Sequence, residues 1–408
     1  MKPWAHQVEM AEQIADKLRE YGLCYVVAEE RTGKTLATIG AIEGLAVNTV
    51  LVITKKVALA GWLETLTKCS HKKIYRVVNY HRVKNVTGSF DMVILDESHN
   101  YIGGLPEPSA IHNQVAKFTR GKPIVYMSAT PCAQGPAYLY HQLSLSTWSP
   151  FNRYTDYHDW HREFGVPYTK YLYGNQIAMY DKVERVIEEV EHLFVSKTRK
   201  EIGFEQEPED KIHWITLSEA TLHVYRKIMV DKVYKFLKAG LLVADTVSKL
   251  RFSLHMLEGG TIKVRQKPKM AKTGKMKNVS KGFILSNCEK IDYILETWGD
   301  TNSLVIMYNF IAEKVKLEER FKNALILQAT SYAEGIDLSD RSTLVIYSQD
   351  YSTARHTQRR ARQTNMDRKE PITVHYLLVR GGVSEQVYET VSVNKLNYVD
   401  TFYKRTSI

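Results

Sequence analysis

Lys34, Thr35, Asp96 and Glu97 are the residues whose types and spacing suit chemistry on a phosphate anhydride. Lys34 and Thr35 close the segment Ala28-Glu29-Glu30-Arg31-Thr32-Gly33-Lys34-Thr35, which follows the strand-like run Cys24-Tyr25-Val26-Val27 and leads into the helical-looking Thr35-Leu36-Ala37-Thr38-Ile39. A loop between a strand and a helix N-terminus gathers backbone N–H groups, and the local dipole favours anionic oxygens there. Thr32, Gly33, Lys34 and Thr35 are the expected nucleotide contacts. Gly33 lets backbone approach phosphate closely. Lys34 would reach the β- and γ-phosphates, and the Thr35 hydroxyl would be a Mg²⁺ ligand. The general pattern is G-x-x-x-x-G-K-[ST], with Ala28 here in place of its first glycine.

Asp96 and Glu97 complete the chemistry. They follow Asp91-Met92-Val93-Ile94-Leu95, a short apolar run of the kind buried in a parallel sheet. Open α/β sheets place ligands at the carboxyl ends of such strands. Asp96 is expected to hold Mg²⁺ through water, and Glu97 to orient and deprotonate the attacking water. The two segments together describe hydrolysis of a nucleoside triphosphate.

The order of the remaining motifs resembles that of superfamily-two helicases and translocases. Ser128-Ala129-Thr130-Pro131, after the apolar Ile124-Val125-Tyr126-Met127, resembles the motif that couples hydrolysis to movement between two RecA-like lobes. Trp4-Ala5-His6-Gln7 resembles the element in which a glutamine reads the adenine edge, which makes Gln7 a candidate contact and ATP, with Mg²⁺, the implied cofactor. Ala329-Thr330 and Glu334-Gly335-Ile336-Asp337-Leu338 resemble a second-lobe motif that contacts nucleic-acid backbone and nucleotide, with Gly335 and Asp337 as candidates. Gln358-Arg359-Arg360-Ala361-Arg362 resembles the arginine-finger motif.

The resemblance spans nearly the whole chain and is greatest to SWI/SNF-like double-stranded DNA translocases, especially compact versions of the bacteriophage type. Val50-Leu51-Val52-Ile53 followed by Gly61-Trp62-Leu63-Glu64 resembles their strand, loop and W-x-x-E element, here shortened to W-x-E, with Lys55-Lys56 in the usual proline region. Val77-Val78-Asn79-Tyr80 resembles the family's next DNA-side motif, and Leu344-Val345-Ile346-Tyr347 leading to Gln358, then Pro371-Ile372-Thr373-Val374-His375-Tyr376-Leu377-Leu378, resembles the end of its second lobe. The family places arginines four and seven residues after the glutamine; Arg362 fills the first place and Asn365 the second. Either Arg362 acts alone, or Arg359, Arg360 or Arg368 supplies a second charge. Physically, a planar guanidinium suits the charge that spreads over the γ-phosphoryl oxygens. Arg362 and Arg359 join Lys34, Asp96 and Glu97 as catalytic candidates.

Strand-and-helix alternation predicts parallel α/β sheets in residues 1–135 and again in 286–408, two RecA-like lobes, the second ending in a helix. Residues 136–285 are expected to form a helical insertion, with aromatics around Tyr154-Thr155-Asp156-Tyr157-His158-Asp159-Trp160-His161 filling its core and a helix over Val183-Glu184-Arg185-Val186-Ile187-Glu188-Glu189-Val190. His141, His158 and His161 lack organised ligand spacing and suit core or surface roles. Lys197, Arg199 and Lys200 loosely match the family's basic segment approaching the second lobe.

Within residues 261–281 lie Lys263, Arg265, Lys267, Lys269, Lys272, Lys275, Lys277 and Lys281, with no acid between them. An extended hairpin or mobile loop that meets phosphates is expected, a solvated loop being the plainer alternative.

The 408 residues are 44% hydrophobic and 25% charged, as in soluble globular proteins, with room for two or three domains. No apolar run reaches transmembrane length, and the N-terminus does not read as a signal peptide. Cys24, Cys69, Cys132 and Cys288 show no C-x-x-C pairing, which suggests reduced thiols and a cytoplasmic setting. A net charge of +11 favours a polyanionic partner. The resemblance implies an ATP-dependent translocase, acting as a monomer on double-stranded DNA. A helicase on single-stranded DNA or RNA shares its hydrolytic motifs, and a nucleic-acid-binding scaffold with weakened ATPase activity is the reading Asn365 favours.

Overall fold

The computed structural model describes the chain except residues 1–2, 133–134, 167, 173–174, 180–182, 184, 205–207, 238, 271–275, 330–337, 339, 365–370 and 395–408. The chain divides into two compact units, Met1–Glu205 and Gln206–Ile408. Segment 136–285 is therefore shared between the two.

In the first unit, strands β1 (Leu23–Ala28), β2 (Thr49–Thr54), β3 (Ile74–Asn79), β4 (Met92–Asp96) and β5 (Ile124–Ser128) alternate with helices. A hairpin of β6 (Tyr168–Leu172) and β7 (Asn175–Met179) precedes β8 (Phe194–Lys197). The sheet order is β3-β2-β4-β5-β1-β8, parallel throughout. Side chains of successive strand residues face opposite sides. Tyr25, Leu51, Ile53, Val93, Leu95 and Tyr126 accordingly join one buried cluster. Val26, Val50, Val52, Ile94, Val125 and Met127 join the other. Burial on both faces explains why these strands read as unbroken apolar runs.

Helices α1 (Ala5–Tyr21), α2 (Lys34–Glu43) and α3 (Leu59–Lys68) matter most for the site. The aromatics of the 150s fill core as expected: Trp160, Phe151, Tyr157 and Phe164 are all buried. His141 is buried too, its Nε2 2.7 Å from the Pro106 carbonyl. The expected helix over 183–190 is shorter than its pattern, running only over Val186–Val190. Arg185, at φ 59°, takes a left-handed conformation that cannot continue a helix and so starts it late.

The second unit opens with β9 (Glu209–Ile215), followed by the hairpins β10 (Val233–Phe236) with β11 (Gly240–Val243) and β12 (Thr261–Met270) with β13 (Met276–Ile284). The basic stretch thus lies mainly on two paired antiparallel strands, with residues 271–275 outside the described residues. Strands β14 (Leu304–Tyr308), β15 (Leu325–Gln328), β16 (Thr343–Ile346) and β17 (Thr373–Val379) complete a second parallel sheet, order β15-β14-β16-β17-β9. The two-sided burial recurs: Leu304, Ile306 and Val345 lie on one side, Val305, Met307 and Ile346 on the other. The expected α/β class with two parallel sheets is what the chain forms. Among the described residues no helix is long and apolar enough to cross a membrane.

Candidate hydrolytic site

The carboxyl edge of the first sheet brings the candidates together. Strands β1 and β4 flank β5, with Val27 beside Ser128 and Asp96 beside Met127. At the usual strand spacing, the cradle after β1 and the acids after β4 lie about 10 Å apart, with Ser128 between.

The loop after β1 turns through two left-handed residues, Arg31 at φ 67° and Gly33 at φ 83°. Gly33 is needed twice over, because a Cβ there would also meet the Gln7 Nε2 at 2.1 Å. Gln7, from α1, therefore packs its amide on the loop while its Oε1 accepts the Trp4 N–H at 2.9 Å. Thr32 is fully buried, its hydroxyl donating to the Glu29 carbonyl at 2.8 Å. Lys34 donates to the carbonyls of Ala28 and Glu29 at 2.6 and 2.9 Å. These neutral acceptors hold the ammonium inside the loop, where a phosphate oxygen would be a stronger partner.

Two carboxylates in this loop, Glu29 and Glu30, would oppose an anionic ligand. Arg199, buried just after β8, offsets both. Its guanidinium lies 3.9 Å from Glu29 and 3.6 Å from Glu30, and its backbone N–H donates to Glu29 at 2.7 Å.

Asp96 is held through one oxygen. Its Oδ2 accepts the Thr54 hydroxyl at 2.6 Å and the Trp62 indole N–H at 2.9 Å. Trp62, on α3, is buried, and the Tyr80 hydroxyl donates to the Asp96 carbonyl at 3.0 Å. Trp62 belongs to the W-x-E element noted in the sequence, but its bond to Asp96 had no signal there.

Glu97 sits at φ 54° and ψ 41°, a conformation costly for a residue with a Cβ, and its N–H donates to the Met127 carbonyl at 2.7 Å. Its Oε2 lies 3.4 Å from the Ser128 hydroxyl, 3.5 Å from His99 Nδ1 and 3.8 Å from the buried Lys55 ammonium. Burial, aided by the charge of Lys55, pushes the His99 pKa down to about 3, so the ring is neutral and its approach to Glu97 is not an ion pair. Asn100 donates to His99 Nε2 at 2.7 Å, which puts the ring proton on Nδ1. Nδ1–H then donates to Ser128 Oγ at 2.9 Å, and the hydroxyl proton is left for Glu97. The Thr130 N–H also donates to Ser128 Oγ, at 3.0 Å. A polar chain thus runs from the Ser128-Ala129-Thr130 turn to the Glu97 carboxylate.

Gln142 braces the same region from beneath. It is fully buried, accepts from the Ser98 and Tyr25 hydroxyls at 2.7 and 2.9 Å, and donates to the Pro131 carbonyl at 3.0 Å. Gln142, Arg199 and Thr54 are supporting residues that no sequence motif singled out for these roles.

In the second unit, the helix Thr353–Arg360 carries the arginines. Arg359 is buried and donates to Asp350 at 2.7 Å; Arg355 reaches the same acid at 3.4 Å. Arg360 pairs with Asp210 at 2.8 Å. Arg362 follows in a 3-10 turn, its side chain outside the described residues, as are Gly335, Asp337, Asn365 and Arg368.

Residues 73–263 match the family model of the SNF2-related domain. Over that span the chain carries a segment similar to the SNF2-related domain. The matched span includes Asp96, Glu97, Ser128 and Arg199. Two solved structures are similar to this chain in fold. One is a SWI2/SNF2 ATPase core from Sulfolobus solfataricus in complex with double-stranded DNA: 13% identity, TM-score 0.41, covering 100% of this chain and 93% of that one. The other is the core domain from the same organism: 14% identity, TM-score 0.40, covering 95% and 89%. No curated protein matches this chain in sequence.

The bond from Trp62 gives a test of the Mg²⁺ role expected of Asp96. Trp62→Phe keeps an aromatic ring in the core but removes a donor from Asp96, and losing such a supporting bond typically costs about 10-fold or more in metal affinity or activity. Half-saturating Mg²⁺ in fluorescent-nucleotide binding should rise by about that factor, with Mg²⁺-free binding unchanged.

Proposed function

We propose that this chain is an SNF2-like ATPase and a translocase on double-stranded DNA, hydrolysing ATP to drive movement or remodelling of DNA or DNA–protein complexes. The observation that carries the hydrolytic part is the carboxyl edge of the first sheet. There Lys34 in a helix-opening loop and the acids Asp96 and Glu97 flank Ser128, whose polar chain ends on Glu97. The DNA part is supported by the net charge of +11, the lysine-rich hairpin and the SNF2-related match.

Lys34 and the N–H groups opening α2 bind the triphosphate. A cleft of about 690 Å³ runs beside α1 and α2, lined by Gln7, Val8, Leu36 and Gly40 among others, and suits an adenine ring with Gln7 at its polar edge. The Thr35 hydroxyl and Asp96 carboxylate are hard oxygen donors, the set that Mg²⁺ takes. When bound, Mg²⁺ would neutralise charge on the β- and γ-phosphates. With Asp96 Oδ2 engaged by Thr54 and Trp62, the other oxygen is the one a hydrated cation would address. Glu97, kept close to Lys55, orients the attacking water and takes its proton. Gly335 and Asp337 would contact nucleotide or DNA backbone from the second unit.

Arg362 is assigned the transition-state charge. Arg355, Arg359 and Arg360 are each engaged by an acid of their own unit, which leaves Arg362 as the motif's candidate. Arg359 then serves to hold its helix. Compact SWI/SNF-like ATPases of the bacteriophage type fit this layout, with segment 136–285 supplying elements on the DNA side, a monomer as the working form and the cytoplasm as its setting.

Duplex-stimulated ATP turnover without strand separation tests the proposal. Unwinding of a forked duplex would instead favour the helicase reading.

A further inference from the structure

The base of the lysine-rich hairpin is one wall of a groove. Strands place alternate residues on one face, and Lys263 and Arg265 are exposed while Ile262 and Val264 are buried. Ser280, paired directly opposite Arg265, shares that face. The facing wall is the helix Val247–Glu258. It contributes Ser248, Arg251 and Phe252, at a spacing that puts them on one side of the helix, with Lys249 alongside. The space between holds about 380 Å³.

Its chemistry is cationic and hydroxyl-rich. Lys263 lies 5.5 Å over the Phe252 ring, and Arg251, only 8% exposed, lies 4.4 Å over Tyr351. Asp245 partly offsets the charge, pairing with Lys249 and approaching Arg265 at 3.8 Å. Beyond the groove the sequence between Arg265 and Lys281 carries Lys267, Lys269, Lys272, Lys275 and Lys277 and no acid. A strand of 10 residues spans roughly 30 Å, a length that suits an extended polyanion and far exceeds a single small anion.

We infer that this groove is a binding site for the phosphodiester backbone of duplex DNA, with Lys263, Arg265 and Lys249 as phosphate ligands and Asp245 as a built-in brake on affinity. It rests on the duplex-translocase reading and adds to it a site in the second unit, separate from the hydrolytic residues.

The test is fluorescence anisotropy of a labelled duplex across a chloride series, with the full chain. Lys263→Ala combined with Arg265→Ala should weaken binding and flatten the log–log salt slope by about 0.9 for each phosphate no longer neutralised. Turnover without DNA should be unchanged. Asp245→Asn should tighten binding several-fold, a gain that a misfolded variant cannot imitate. Unaltered slope in the double variant and unaltered affinity in Asp245→Asn, while the wild type binds duplex, would overturn the groove and leave the translocase reading standing. A wild type that binds no duplex would overturn both. Displacement of duplex by inorganic phosphate, beyond that by chloride at matched ionic strength, would make this a small-anion site and overturn the proposal.

Discussion

Arg362→Ala is expected to lower ATP turnover by a factor on the order of 10³–10⁵ while nucleotide affinity and melting temperature stay near wild type. An arginine that meets charge only in the transition state contributes to turnover and little to ground-state binding. Its neighbour should behave in the opposite way. Arg359 and Asp350 form a buried pair at 2.7 Å, and removing Arg359 leaves the buried acid only the longer contact to the part-exposed Arg355 at 3.4 Å. Arg359→Ala should therefore cost about 3–5 kcal/mol of stability, read by chemical denaturation. Steady-state turnover and fluorescent-nucleotide binding on both variants separate the roles. Full turnover by Arg362→Ala would move the charge-stabilising role to another arginine. An unchanged melting temperature for Arg359→Ala would contradict the structural role given to its pair with Asp350.

Lys34→Ala is expected to abolish measurable hydrolysis, by at least about 10²–10³-fold, and to leave salt-sensitive duplex binding intact. The ammonium sits inside the loop on two carbonyl oxygens, so its loss removes the charge that would meet the β- and γ-phosphates without removing a core contact. The acidic Glu29 and Glu30, which Arg199 already helps to offset, make the loss of a further cation more severe. Phosphate release and duplex anisotropy, measured on one preparation, check both halves. Retained turnover would contradict the placement of the cradle at Lys34.

The parts of the site legible in the sequence are those fixed by chain neighbours. Gly33, Lys34 and Thr35 sit on one turn, and Asp96 and Glu97 end one apolar strand, so local pattern alone carried them. The supports are different. Trp62 and Thr54 reach Asp96 across 34 and 42 residues, and the Arg199 N–H reaches Glu29 across 170. Such contacts arise from strand order, which periodicity does not encode. The neutral state of His99 likewise follows from burial beside Lys55 rather than from residue type. At the level of fold, two-sided burial made the strands of both sheets readable as apolar runs. The segment between was harder: Arg185 delays a helix that the pattern started earlier, and a run of lysines fits hairpin and loop equally well until pairing between β12 and β13 is known. The division of the chain at 205 follows from β8 joining the first sheet and β9 the second, a matter of pairing partners rather than composition.

The most direct measurement is steady-state ATP turnover with no nucleic acid, duplex DNA, single-stranded DNA or RNA, for wild type and Glu97→Gln. Strong stimulation by duplex, lost by about 10²–10⁴-fold in Glu97→Gln, is the expected result. Stimulation by single strands or RNA in preference to duplex, or turnover by Glu97→Gln equal to wild type, would contradict it.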